Sequence, residues 1–158
     1  MIPENFIYFS LVLNTISETN LRIFLSNNED IQDIIQKRGL VNVNFIHNLH
    51  CTLFHKNHKF SNEKIKEEFY KTFKKNFEQE KGKLYSIRVV GWGYNNHTLA
   101  LLIEKNSIDL PRLENHIYHI TVCTFENGKP YESNYILNWR IFKNPFEVDC
   151  ILVENTLK

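Results

Sequence analysis

Two tetrapeptides in this chain match each other: His50-Cys51-Thr52-Leu53 and His119-Ile120-Thr121-Val122. Both read His-x-Thr-aliphatic, and they begin 69 residues apart. In a β-strand, residues i and i+2 share a face. Each motif therefore aims an imidazole and a hydroxyl the same way, and two such strands side by side present two of each to one cleft. That set suits phosphodiester chemistry without a metal. One neutral imidazole takes a proton from the attacking oxygen, and the other, as imidazolium, gives one to the leaving oxygen. The threonine hydroxyls donate to the non-bridging oxygens and stabilise the charge of the transition state.

Chance gives such a pattern rarely. With seven His and eight Thr in 158 residues, roughly 0.1 tetrapeptides of this form are expected at random, so a pair carries weight that a single copy does not. Zinc is the rival reading. His47/His50, His55/His58 and His116/His119 have i, i+3 spacing, which clusters ligands on a helix but sends them to opposite faces of a strand. No spacing of Cys51, Cys123 and Cys150 resembles a structural zinc site, and no metal or other cofactor is expected.

The surrounding sequence supplies elements to carry the motifs. Residues 6–13, 48–55, 84–94, 97–104, 116–124 and 146–154 read as strands, by β-branched and aromatic content and length. Ser17 reads as an N-cap for a helix through Leu25, Glu29–Gly39 as a second helix, and Ser61–Gly82 as a third. In the third, Ile65, Phe69, Phe73 and Phe77 form an apolar stripe opposite Lys64, Lys71, Lys74 and Lys75. Asn95-Asn96 suits a hairpin turn. Gly91-Trp92-Gly93 inside a strand suggests a bulge or a close backbone approach, and a short helix is expected near Glu132–Asn138. No linker divides the chain, so residues 1–158 are expected to form one domain. The order of elements predicts the α+β class.

These features resemble the two-histidine (2H) phosphoesterases, the LigT-like phosphodiesterases. The resemblance rests on the duplicated motif, with support from the amphipathic helix of Phe69–Phe77, from Val90-Gly91-Trp92-Gly93-Tyr94, from Thr98–Ile103 and from Val148–Val153. It implies a bilobal fold with pseudo-twofold symmetry and a central cleft holding His50, Thr52, His119 and Thr121, and no metal cofactor. Members of this family process RNA ends bearing 2′,3′-cyclic phosphates, or cleave 2′–5′ oligoadenylates or cyclic oligonucleotides. In size and motif separation the chain is most similar to compact virus-encoded members that destroy cyclic nucleotide signals such as cyclic GMP–AMP. That likeness implies evasion of host immune signalling. Asn (20), Ile (17) and Lys (14) are abundant and Ala occurs once. The bias suggests AT-rich codons, as in a virus or a low-GC bacterium.

The substrate expected first is a cyclic di- or oligonucleotide. The alternatives are RNA ends, 2′–5′ oligoadenylate and a module that binds nucleotide without turnover. Bases need planar surfaces, for which Tyr8, Phe54, Trp92 and Tyr94 are candidates. Phe54 follows Thr52 by two residues and is expected on its face, at the cleft's edge. Lys129 and Arg140 are candidates for phosphate. Net charge is +1, which points away from long duplex nucleic acid and membrane surfaces. An odd cysteine count without a CxxC argues against a disulfide framework and for a reducing cytoplasm. Phe6–Leu13 is too short to span a bilayer and lacks the flanks of a signal peptide. A monomer is expected.

Overall fold

The computed structural model describes residues 1–157. The elements run β1 (Phe6–Leu13), α1 (Thr15–Asn27), α2 (Glu29–Arg38), β2 (Val43–Phe45), β3 (His50–His55), α3 (Glu63–Glu80), β4 (Leu84–Tyr94), β5 (Thr98–Ile103), β6 (His119–Phe125) and β7 (Trp139–Thr156). Short 3₁₀ turns lie at Leu40–Asn42, Lys105–Ser107 and Pro130–Tyr135. Strand order is β2-β6-β3-β1-β7-β4-β5, and β5 pairs again with β6. Every pairing is antiparallel. Six strands thus close into a barrel, with β2 added on the edge of β6.

This corrects the expected bilobal α+β fold with pseudo-twofold symmetry. The molecule is mostly one closed antiparallel sheet with three helices against it. Two features close it. The β5–β6 ladder runs from Thr98↔Thr124 to Leu102↔His119. The other is β7, twice the length expected, which pairs with β1 over Cys150–Thr156 and with β4 over Trp139–Ile151. Its first half escaped sequence reading because Pro145 interrupts it. That proline falls between Ile141 and Phe146, where the β4 ladder shifts register, a place where its missing N–H costs no ladder bond.

All three helices start from asparagine. Asn14, Asn28 and Asn62 accept from the backbone N–H of Ser17, Ile31 and Ile65 at 2.8, 3.0 and 2.9 Å, as N-cap side chains do. Ser17 is therefore inside α1, where its hydroxyl accepts from Asp149 N–H at 2.8 Å and ties α1 to β7. Asn95 builds the β4–β5 turn by accepting from the N–H groups of His97 and Thr98, both at 2.9 Å. Part of the asparagine excess is thus structural. In α3 the core-facing residues are Tyr70 and Phe73, with Phe69 and Phe77 half-buried, while Ile65 stays exposed. Phe73 stacks on Phe9 of β1 at 4.7 Å, and Phe54 meets Phe69 edge-on at 5.0 Å. Such aromatic pairs add about 0.5–1.5 kcal/mol each beyond area burial. No described helix is long and apolar enough to cross a membrane.

Candidate functional site

β3 and β6 adjoin through one antiparallel pair, Cys51↔Ile120. These are the x residues of the two motifs, and both side chains are fully buried. Alternation then turns His50, Thr52, His119 and Thr121 to the opposite face, where all four are half-buried. The register sets His50 beside Thr121 and Thr52 beside His119 across the strand junction. The structure therefore brings the four polar residues singled out in the sequence onto one face of neighbouring strands.

The two imidazoles are held alike. His50 Nδ1 lies 3.0 Å from Asn48 O, and His119 Nδ1 lies 3.0 Å from Ile117 O. A carbonyl only accepts, so each Nδ1 carries the proton and donates. Each neutral ring then leaves Nε2 free to take a proton, or to give one when the ring is charged. His119 sits below the ordinary imidazole range. Burial is the main cause, the Ile117 bond opposes it, and repulsion from His50 adds to it. The surroundings of His119 therefore favour its neutral, proton-accepting form. His116, whose ring lies 6.4 Å from that of His119, is pushed down to about 4, chiefly by burial and then by His119, His58 and Lys105.

The threonines differ. Thr121 Oγ1 is 2.9 Å from Ser133 Oγ and donates to Pro130 O at 3.4 Å, which fastens β6 to the 3₁₀ turn of residues 130–135. Thr52 has no such tether among the described residues; its ladder partner is Ser10. The Ser10 hydroxyl is fully buried and, among the described residues, has no hydrogen-bond partner.

Of the four aromatic candidates, one lies on the site face. Tyr8 stacks between His50 and His55, with ring centroids 5.9 and 5.8 Å away. Phe54 does not reach the edge of the site. The β1–β3 register passes from Phe9↔Phe54 to Ser10↔Thr52, so Leu53 is an extra, bulged residue that resets the alternation. Phe54 is fully buried against Phe6, Phe9 and α3, and His55 takes the site face instead. Trp92 is also buried, opposite Leu101 in the ladder, with Tyr94 half-buried and stacked on it at 5.9 Å. Their neighbours Gly91 and Gly93 take the other face. A side chain at Gly91 would put its Cβ 2.4 Å from Arg140 O, the close approach the Gly-Trp-Gly run suggested. Arg140 lays its guanidinium over the Trp92 ring at 5.1 Å. Lys129 is exposed, and its backbone N–H donates to Glu132 at 2.9 Å.

Sequence reasoning missed Asn48, Ser133, Ser10 and Glu18, whose carboxylate accepts from Leu49 N–H at 2.7 Å. Only Asn48 left a signal. It adopts φ +56°, and asparagine is among the few residues that tolerate this left-handed conformation.

The family model of the fungal tRNA ligase phosphodiesterase domain matches residues 2–154. None of the curated proteins matches the chain. Among solved structures, a crystal structure of a fungal RNA kinase superposes with a TM-score of 0.63 at 15% sequence identity. That match covers 98% of this chain and 46% of the other, so the chain spans about half the length of that protein. At this identity the likeness is one of fold.

Proposed function

Because the chain belongs to the fungal tRNA ligase phosphodiesterase domain family, we propose that it opens 2′,3′-cyclic phosphates at RNA ends with His50 and His119 as its acid–base pair. Membership makes the chain a phosphodiesterase of the 2H type; the substrate and the residue roles are the proposal. The RNA-end alternative takes precedence over the cyclic-dinucleotide reading and its viral setting, neither of which has a counterpart in the family match.

One observation carries the mechanism: two imidazoles on adjoining strands, each with Nδ1–H spent on a backbone carbonyl and Nε2 left for chemistry. Water attacks the cyclic phosphorus. His119, favoured in its neutral form by burial, accepts the water proton. His50 as imidazolium donates to whichever ribose oxygen leaves. Thr52, and Thr121 once its hydroxyl has turned from Pro130 O, donate to the non-bridging oxygens, where charge grows in the transition state. The P–O bond to one ribose oxygen breaks as the P–OH bond forms, giving a phosphomonoester and a free hydroxyl. A fixed acid position protonates one ribose oxygen in preference to the other, so a single positional isomer is expected.

The test is incubation of an oligoribonucleotide ending in a 2′,3′-cyclic phosphate, in EDTA and H₂¹⁸O, with products separated by chromatography. One ¹⁸O in a single monophosphate isomer is the expected result. No hydrolysis of this RNA, alongside turnover of a cyclic dinucleotide, would refute the substrate assignment.

A further inference from the structure

We propose that Glu18 is a positioning residue for His50, acting through the Asn48–Leu49 peptide group. The two ends of that one amide face two functional partners. Its N–H, on Leu49, donates to Glu18 Oε1 at 2.7 Å. Its C=O, on Asn48, accepts from His50 Nδ1 at 3.0 Å. A carboxylate, a peptide group and an imidazole are thus joined in series by two hydrogen bonds. A charge-assisted bond at the N–H end polarises the amide and strengthens its oxygen as an acceptor. It also fixes the orientation of the plane, and with it the ring and its tautomer.

The loop is built to hold that plane still. Asn48, with a left-handed φ of +56°, presents its carbonyl to the His50 ring. Arg22, one turn on from Glu18 in α1, donates to Ile46 O at 2.7 Å and lies 3.8 Å from Glu18 Oε1. Leu49 O accepts from Leu13 N–H of β1 at 3.1 Å. Segment 46–49 is therefore fastened to α1 at two points and to β1 at a third.

His119 has the same bond to Ile117 O, but among the described residues no carboxylate backs the Ile117–Tyr118 peptide. The carboxylate stands behind one imidazole only. This asymmetry suits a pair in which His50 holds the proton to be donated and His119 awaits one. It rests on the two-histidine reading above and deepens it.

The test reads the rings directly. ¹⁵N NMR of labelled full-length protein at pH 8 reports which nitrogen of each neutral histidine bears the proton, with no substrate present. In the wild type, His50 is expected as the Nδ1–H form. In Glu18→Ala, the His50 signals should move towards the Nε2–H form usual in water, while those of His119 stay in place. Turnover of the cyclic-phosphate RNA should fall about tenfold to a hundredfold in kcat, the scale of a misplaced reacting group, with KM little changed. Glu18→Gln keeps an oxygen that accepts from Leu49 N–H and should recover the tautomer and most of the rate. Should Glu18→Ala not fold, Glu18→Asp, whose shorter side chain falls short of Leu49, takes its place with the same expectation. An unmoved His50 tautomer in the folded variant overturns the proposal, whatever the activity. A wrong RNA substrate would leave the NMR result intact and sink only the functional reading.

Discussion

Leu53 and Val122 are structural equivalents: each is the extra residue of a β-bulge that directly follows the threonine of a His-x-Thr motif. The β1–β3 ladder skips Leu53 between Thr52 and Phe54, and the β5–β6 ladder skips Val122 between Thr121 and Cys123. The bulge lets two consecutive residues turn inward. Leu53 and Phe54, like Val122 and Cys123, are all at most 1% exposed. Each strand thereby presents histidine and threonine on one face and then returns its next residue to the core.

Phe54 and Tyr8 should separate cleanly on this basis. Phe54→Ala empties a fully buried aromatic site and should cost about 3–5 kcal/mol of stability, with KM of the surviving folded protein unchanged. Tyr8→Ala removes the ring stacked on His50 and His55, is half-buried, and should lower kcat/KM with a smaller loss of stability. Denaturant unfolding beside steady-state kinetics checks both. A raised KM in Phe54→Ala would place that ring at the substrate after all.

His50→Ala and His119→Ala should each reduce turnover about 10²- to 10⁴-fold, the usual worth of one positioned proton transfer. Both rings are half-buried on the face opposite the core, so circular dichroism should show the fold retained. The double variant should fall little further than the worse single one, because in the proposed mechanism the rings act as a unit. Near-wild-type rates in either single variant would end the two-histidine assignment.

The two threonines should not behave alike. Thr121→Val strands the hydroxyl of Ser133, which is 1% exposed and bonded to Thr121. A buried hydroxyl left unpaired costs about 1–3 kcal/mol, so this variant should lose stability and activity together. Thr52→Val has no such partner to strand and should lose activity alone. Melting temperature set against activity per folded molecule distinguishes them.

Stability should fall as pH drops from about 6.5 to about 4, and His116 should account for part of that loss. The folded ring is held down to about 4 by burial and by neighbouring cations, whereas an exposed imidazole titrates near 6.5. In that window the unfolded chain binds a proton that the folded one does not, so acid favours unfolding. The contribution is at most about 3 kcal/mol, and no further loss from this group follows below about 4. Urea unfolding at several pH values should show a flatter slope for His116→Asn than for the wild type.

The paired motifs, most strands and all three helices were legible because they are local: a strand pattern, an apolar stripe and a cap each span a few residues. What was hidden is non-local. Closure depends on β5 finding β6, and nothing in Thr98–Ile103 or His119–Phe125 names its partner. Alternation read Phe54 onto the site face because a bulge at Leu53 leaves no mark on an apolar run. Trp92 and Tyr94 were equally ambiguous until their register with Leu101 and Leu99 was known. Glu18 was invisible as a site residue because it reaches His50 only through the backbone of a loop 31 residues away.

The last expectation concerns how the two rings titrate. Three influences act on His119: burial lowers it, the bond to Ile117 O raises it, and His50 lowers it. His50→Ala removes only the third. The NMR midpoint of His119 should therefore rise in that variant yet stay below the ordinary value near 6.5, because burial remains. In the proposed mechanism cleavage needs one ring neutral and the other charged, so the wild-type kcat/KM should be bell-shaped and insensitive to EDTA. Its acid limb should lie below 6.5, because His119 is held below the ordinary imidazole range. Both limbs belong to the coupled pair and not to single residues, which is why the variant titration is needed to name the base. A His119 midpoint that stays put in His50→Ala would show that the two charges do not interact, and would remove the basis for treating them as one catalytic unit.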